Sequence, residues 1–328
     1  MHSRRTVTLA LAATLAAPAL IRPARGAADD VLRAARGLDQ LHAIAVQRGD
    51  ELLLAEAPRG RGLRRPANVK SVSKSVLGLL LGLAIDRGAV PGPRARLADV
   101  APGLIPPNAT EGVEALTLHD LVTLRAGLEG TSGARYGAFV SSRNWVAHVL
   151  TRPRLGPAGR RMTYSTGSSH VLGAVLVVAT GDSLLAQARA GLGGPLNIEI
   201  PDWPRDPQGF HFGGNDMALS PLAMLRLGVL MRDGGRVDGV RVVPGEWVAT
   251  SARAVTASPF SGFGYGLGWF VSPSGWVLAR GYGGQVIAAQ PGGRLAVAIT
   301  SDPTRPARSG GYFGDLMRLL DGPVLDLA

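Results

Sequence analysis

The stretch Val76–Ile85 (VLGLLLGLAI) most constrains what this chain can fold into. Read as a helix it is apolar nearly all round, so a globular fold must bury every face of it. Its length, with Lys74, Asp86 and Arg87 on its flanks, falls short of the roughly 20 apolar residues a membrane span needs. Gly78 and Gly82 each cost about 0.5–1 kcal/mol relative to alanine inside a helix. Their spacing of four puts them on one face, where another element is expected to pack closely. Gly88 stands where glycine terminates such a helix.

The residues that open this helix carry the chemistry. In Lys70-Ser71-Val72-Ser73-Lys74-Ser75, the i, i+3 pair Ser71 and Lys74 shares one helix face, with Cβ atoms about 5–6 Å apart. A serine hydroxyl is a poor nucleophile until something takes its proton. Lysine can do so when burial makes its amine neutral. The helix N-terminus favours an ionised serine oxygen and disfavours a cation. Ser71 is therefore a candidate nucleophile and Lys74 its activator. On these residues alone, a helix cap at Ser71 and a solvated first-turn lysine at Lys74 is the competing reading. Lys70 and Lys74 are the only lysines in the chain.

Composition narrows the classes. With 328 residues, 46% hydrophobic and 18% charged, the chain has ample material for a core in one large domain or two modest ones. It has no cysteine, which excludes disulfides, thiolate metal sites, cysteine nucleophiles and a lipoprotein anchor. The net charge of +11 comes from scattered arginines without interleaved aromatics, a basic surface rather than a nucleic-acid interface. Asp and Glu show no metal-ligand spacing and no phosphate loop occurs, so no metal or cofactor is expected. No G-x-S-x-G elbow is present, which argues against an α/β-hydrolase.

Residues 1–28 read as an export signal. Arg4-Arg5 begin it in twin-arginine fashion, an alanine-rich apolar stretch follows, and Ala24–Ala28 offers small residues for cleavage. The mature chain, 29–328, is expected to be a periplasmic or secreted protein without a stable membrane anchor.

After a helical lead-in at Asp29–Leu38, Leu41–Gln47 and Glu51–Ala55 flank Arg48-Gly49-Asp50 as a hairpin. Pro91–Asn108 reads as loop. Thr117 with Asp120 forms a capping box for a helix over Leu118–Leu124. Further helices are expected at Ser142–Leu150, Val171–Ala179 and after Ser220-Pro221. The last third changes character. Tyr265–Val271, Trp276–Ala279, Gln285–Gln290 and Leu295–Thr300 are short runs separated by glycine turns, which read as antiparallel strands, and Tyr312–Leu320 reads as a closing helix. The fold class is therefore α+β. One antiparallel sheet is built from both chain ends, flanked by helices, with a mostly helical insertion over roughly 90–220.

Two further segments could complete a site around Ser71. Tyr164-Ser165-Thr166 precedes a helix, and a tyrosine beside Lys74 could act as general base and then general acid. Gly281-Tyr282-Gly283-Gly284-Gln285 enters a strand. Its glycines admit close backbone approach, and an exposed N–H there with that of Ser71 could form an oxyanion hole. Among the histidines, His170 reads as structural and His119 as exposed on its capped helix. Tyr265 and Trp269 read as core or pocket wall.

In their order, these motifs resemble the serine β-lactamase and penicillin-binding-protein superfamily, and within it the class C-like branch of esterases, D-aminopeptidases and 6-aminohexanoate-dimer hydrolases. Ser71-Val72-Ser73-Lys74 matches S-x-x-K, Tyr164-Ser165-Thr166 the Y-x-N position, and Tyr282-Gly283-Gly284 the K-T-G position. Leu116–Leu124 and Gly213–Ser220 are also similar to this branch. The resemblance implies that Ser71 becomes acylated, with Lys74 and Tyr164 managing its proton and activating the deacylating water. It implies an oxyanion hole of the Ser71 and Gln285 N–H groups, and substrate contacts at Thr166, Tyr282, Gly283 and Gly284. Thr166 departs from the usual asparagine, and Tyr282 from a cationic lysine. Threonine cannot donate an amide N–H to a substrate carbonyl, and without the lysine charge recognition of a substrate carboxylate weakens; both changes favour a small-molecule ester or small amide. The alternatives are a D-Ala-D-Ala carboxypeptidase, a class C-like β-lactamase, or a non-catalytic peptide-binding member.

Overall fold

The computed structural model describes residues 22–328; most of the expected export signal lies outside the described residues. The first helix, α1 (Arg22–Gly37), starts earlier than the lead-in expected at Asp29. The hairpin follows as β1 (Leu41–Arg48) and β2 (Glu51–Glu56). Next come β3 (Ala67–Lys70), α2 (Val72–Asp86), α3 (Leu118–Val122), α4 (Trp145–Leu150) and α5 (Thr166–Thr180). The chain then forms β4 (Met217–Leu219), α6 (Pro221–Arg232), α7 (Gly245–Ser251) and β5 (Thr256–Ala257). It ends in β6 (Gly264–Tyr265), β7 (Phe270–Val271), β8 (Val277–Arg280), β9 (Val286–Ala289), β10 (Leu295–Ser301) and α8 (Tyr312–Leu319).

The main sheet has eight strands in the order β2-β1-β10-β9-β8-β7-β6-β5. The N-terminal hairpin pairs with the last strand, Ile44 opposite Ile299 and Val46 opposite Val297, so the sheet is built from both chain ends. Side chains alternate across a strand, and β10 shows the consequence. Leu295, Val297 and Ile299 enter the core under α1 and α8. Ala296 and Ala298 enter the core under α2, α5 and α6. Alanine on that second face lets α6 approach closely at Gly228, whose nearest neighbours include Ile287 and Ala296.

Helix α2 is buried from Val72 to Ala84. The close approach expected at its glycines comes from two directions. A Cβ on Gly78 would stand 2.5 Å from the Leu267 carbonyl oxygen, and one on Gly82 would enter the Trp247 ring. The Trp247 indole also donates to Gly78 O at 2.9 Å. Gly88, at φ +72°, supplies the left-handed residue after the helix.

Several expected boundaries shift. Tyr265–Val271 is not one strand: Tyr265 pairs with Phe270 across a turn that Gly268 permits at φ +88° and that seats Leu267 on Gly78. Trp269 and Tyr265 are both core, each 1% exposed. The polar segment before Val171 is itself helical from Thr166, because Ser165 caps there. Pro91–Asn108 contains a helical turn at Leu97–Val100. The Thr117–Asp120 capping box is present, but its helix ends at Val122, and Leu124 has left-handed backbone, φ +57°. His119 is half-buried rather than exposed, against Arg125. His170 is fully buried, its Nε2 2.9 Å from Asp206 Oδ2. No single described helix is long and apolar enough to cross a membrane.

Candidate active site

Ser71 stands at the N-cap position of α2, yet its side chain makes no cap hydrogen bond. A capping serine normally has extended backbone and accepts from the second or third helical N–H. Ser71 has φ −73° and ψ −1°, which turns its hydroxyl away from that N–H. The reading of Ser71 as a helix cap therefore does not hold.

Lys74 is 4% exposed. Its Nζ donates to Ser71 Oγ at 2.9 Å, to Thr166 Oγ1 at 3.2 Å and to Gly214 O at 2.6 Å. Burial lowers the amine from the usual lysine value to about 7, and the Asp216 carboxylate opposes that fall. Charge-neutral Lys74 is thus accessible near neutral pH, as its place at the head of a buried helix implied.

Tyr164 lies just before α5, with its ring centroid 5.1 Å from Lys74 Nζ. Burial raises its phenol above the ordinary tyrosine value, while the Ser71 hydroxyl and the Arg280 charge pull it back. Next in the chain, Ser165 caps α5 and ties it to Thr131, whose N–H donates to Ser165 Oγ at 3.2 Å. Thr166 Oγ1 lies 2.9 Å from Ser132 Oγ. The helix start therefore fixes both the Lys74 contact and the neighbouring loop.

Ser71, Ser132, Tyr164 and Thr166 line a cavity of about 640 Å³, and Lys74 lies behind this lining. Its polar lining includes Lys70, Ser132, Thr166 and Asn215, whose Nδ2 donates to the Tyr136 hydroxyl at 2.9 Å. Phe260, Phe270, Pro306, Ala307, Arg280 and Arg308 also line it. Phe260, 67% exposed at the mouth, stands edge-on to Tyr164. Arg280 stacks on Phe313 with Cζ 3.5 Å from the ring centroid, and donates to Ala307 O at 2.8 Å. Burial pushes its guanidinium down to about 10, opposed by Tyr164. No Asp or Glu lines the cavity among the described residues.

The third motif is positioned differently from expectation. Arg280, Gly281 and Tyr282 line the cavity; Gly283, Gly284 and Gln285 do not. The chain folds back after Tyr282, with Gly281 N–H donating to Gln285 O at 2.8 Å and Gly284 N–H to Gly281 O at 3.1 Å. Gln285 closes this turn from behind, its Oε1 accepting from Gly283 N–H at 3.0 Å and its Nε2 donating to Ser301 O at 3.0 Å. Gly281 is the glycine the close approach requires: a Cβ there would stand 2.6 Å from the Val69 carbonyl oxygen, two residues before Ser71. The Tyr282 N–H donates to no protein group among the described residues.

Sequence reasoning also missed Lys70, Ser132, Tyr136, Asn215, Phe260 and Arg280 as cavity residues. For Arg280 a signal existed, since in β8 it shares a strand face with Leu278. Lys70 ends β3 and Tyr136 opens a short helix, Tyr136–Val140, while Ser132, Asn215 and Phe260 reach the cavity from loops. Among the described residues no cluster of His, Asp and Glu could hold a metal ion.

The architecture is shared with solved hydrolase structures. A Bacillus anthracis protein described as a 6-aminohexanoate-dimer hydrolase superposes at TM-score 0.73 and 14% identity, over 91% of this chain and 80% of that one. EstCE1, a hydrolase with promiscuous acyltransferase activity, gives 0.71 at 17%, over 92% and 97%. A family VIII carboxylesterase gives 0.70 at 16%, over 93% and 97%. No curated protein sequence matches the chain. The Beta-lactamase family model matches residues 42–320, a span that holds all of the sheet but Leu41, both buried helices and every residue lining the cavity: the chain belongs to the Beta-lactamase family.

Proposed function

We propose that the protein is an exported serine hydrolase that cleaves an ester or small amide through an acyl-enzyme on Ser71. The observation that carries this reading is the uncapped Ser71 hydroxyl 2.9 Å from a buried Lys74 amine. Ser71 Oγ attacks the carbonyl carbon and its proton passes to Lys74. The oxyanion is held by the N–H groups of Ser71 and Tyr282; Tyr282 replaces Gln285 in this role because Gln285 lies behind the turn. The tetrahedral intermediate collapses, and the leaving group departs with a proton delivered through Lys74 and Tyr164. Water then adds to the acyl carbon, giving up a proton to the same pair, and the acid leaves Ser71. Such a base contributes typically 10²–10⁴-fold. The named activity of the carboxylesterase supports an ester as substrate, and the acyltransferase activity of EstCE1 supports passage through an acyl-enzyme.

A fluorophosphonate probe tests the reading. Labelling of the wild type that Ser71→Ala abolishes is the expected result. An unlabelled wild type would point to the non-catalytic peptide-binding alternative.

A second reading, a D-Ala-D-Ala carboxypeptidase or class C-like β-lactamase, gains support from one observation. Tyr282 removes the family's lysine, but Arg280 and Arg308 put positive charge back into the cavity without a lining carboxylate. Comparing turnover of p-nitrophenyl butyrate, a D-amino-acid amide, a linear aminohexanoate dimer and nitrocefin separates the two. Nitrocefin as by far the best substrate overturns the ester preference. Export by the twin-arginine route is tested separately: Arg4→Lys with Arg5→Lys should abolish it.

A further inference from the structure

The chain's two lysines meet the same short segment. Lys74 Nζ donates to Gly214 O at 2.6 Å, and Lys70 Nζ pairs with Asp216 Oδ1 at 3.0 Å. The second contact is braced on every side. Asn68 Nδ2 donates to the same Asp216 oxygen at 2.8 Å, and Asn68 Oδ1 accepts from Lys70 N–H at 2.8 Å. Ser73 Oγ donates to Lys70 O at 2.6 Å and accepts from Met217 N–H at 3.2 Å. Side chains of both partners are mostly buried, at 25% and 21% exposure.

Both residues have left-handed backbone, Lys70 at φ +51° and Asp216 at φ +61°. Aspartate tolerates this region, whereas it costs a lysine roughly 1–2 kcal/mol. Glycine would adopt either conformation freely. A lysine and an aspartate are held there instead, immediately before the candidate nucleophile and two residues past a Lys74 acceptor. Strain of this kind persists only where surrounding contacts over-determine it.

We propose that Lys70 is a positioning residue for acyl transfer: by pairing with Asp216 it occupies the carboxylate that would otherwise become the counter-ion of Lys74. This rests on the hydrolase reading above. The Asp216 charge favours the protonated form of Lys74, against the larger effect of burial. The other groups facing the amine are Ser71 and Thr166, both neutral, the Gly214 carbonyl, and the Tyr164 phenol with Arg280 behind it. An unpaired carboxylate two residues past the Gly214 acceptor of Lys74 would favour the ammonium form of that amine, which cannot take the Ser71 proton. With Lys70 in place, the lysine and the aspartate present a dipole rather than a bare negative charge.

The test is the pH dependence of fluorophosphonate labelling of the full chain. The wild-type rate should rise with pH as Lys74 loses its proton. Lys70→Met should move this rise upward by about one pH unit or less, since an opposite charge favours the protonated amine. Asp216→Asn should move it downward, and the double variant should fall between the two. Lys70→Arg, which keeps the cation, should stay closer to wild type than Lys70→Met does. A merely structural role lowers the rate or the melting temperature without moving the rise. If Lys70→Met does not fold, Asp216→Asn decides alone. Labelling with unmoved profiles in the folded variants overturns this inference and leaves the hydrolase reading standing. A wild type that never labels overturns both.

Discussion

Helices α2 and α5 are near twins. Each runs for 15 residues, each is buried along most of its length, and each begins at the cavity with a serine in the N-cap position. What those serines do differs. Ser165 has extended backbone, φ −137°, and its hydroxyl accepts from Ser168 N–H and Thr131 N–H. Ser71 has helical backbone and accepts from no helix N–H. One hydroxyl holds the helix start; the other is left beside a buried amine. Sequence position alone assigns the two serines the same local role. The backbone before Ser71 separates them, because Lys70 enters from the left-handed region while Ser165 is itself extended.

The sharpest way to break this contrast is to remove each hydroxyl. Ser71→Ala should abolish fluorophosphonate labelling at little cost in stability, since no cap bond is lost. Ser165→Ala should lower unfolding free energy by about 0.5–2 kcal/mol and keep the protein labelled. Reversed outcomes would sink the distinction.

The next largest effect concerns Lys74. Lys74→Met should reduce labelling about 10²–10⁴-fold and also alter the pH dependence of stability. The folded-state value is about 7, against 10.5 for the ordinary lysine. Between those limits the unfolded chain holds a proton that the folded protein has released, so the contribution of Lys74 to stability rises with pH. The stability difference between wild type and Lys74→Met should shift in favour of wild type from pH 7 to 10.5. A constant difference across that window would show that the amine is not desolvated.

Smaller effects come from the glycines that seat α2 and α5. Gly78→Ala should cost about 1–3 kcal/mol through overpacking, because the opposing atom is the Leu267 backbone oxygen, which cannot rotate aside. On α5, a Cβ added to Gly173 would stand 2.9 Å from the end of the Leu184 side chain and 3.2 Å from the Gly213 backbone. Gly173→Ala should cost less, as a leucine terminus can yield. Thermal melts of the two variants compare them. The smallest expected effect is Thr166→Val, which removes one of three acceptors of Lys74 and should slow labelling by roughly tenfold or less.

Much of this was legible because it is local. The i, i+3 relation of Ser71 and Lys74, the capping box at Thr117, the proline at the start of α6 and the glycine after α2 are decided within one helical turn. The alternation that sends Val297 and Ala298 to opposite cores is likewise a property of a few residues. The buried helix forced close partners at Gly78 and Gly82, although it could not say that they were the Leu267 turn and Trp247.

Contacts across long sequence separations were not legible. That Gly214 takes a bond from Lys74, that Asp216 answers Lys70, and that Thr166 reaches an amine 92 residues away depends on β3 pairing with β4 and α5 lying beside α2. The turn after Tyr282 is the clearest case. A glycine-rich run permits several reversals, and only its packing against Ser301 and Val69 decides that Gly281 and Tyr282 face the cavity while Gln285 faces away. The order of residues was enough to put a serine and a lysine together at the head of a fully buried helix, since short-range geometry and hydrophobicity leave little freedom there. Which charges surround them was settled by the folded chain, because charges act through space and those partners arrive from distant segments.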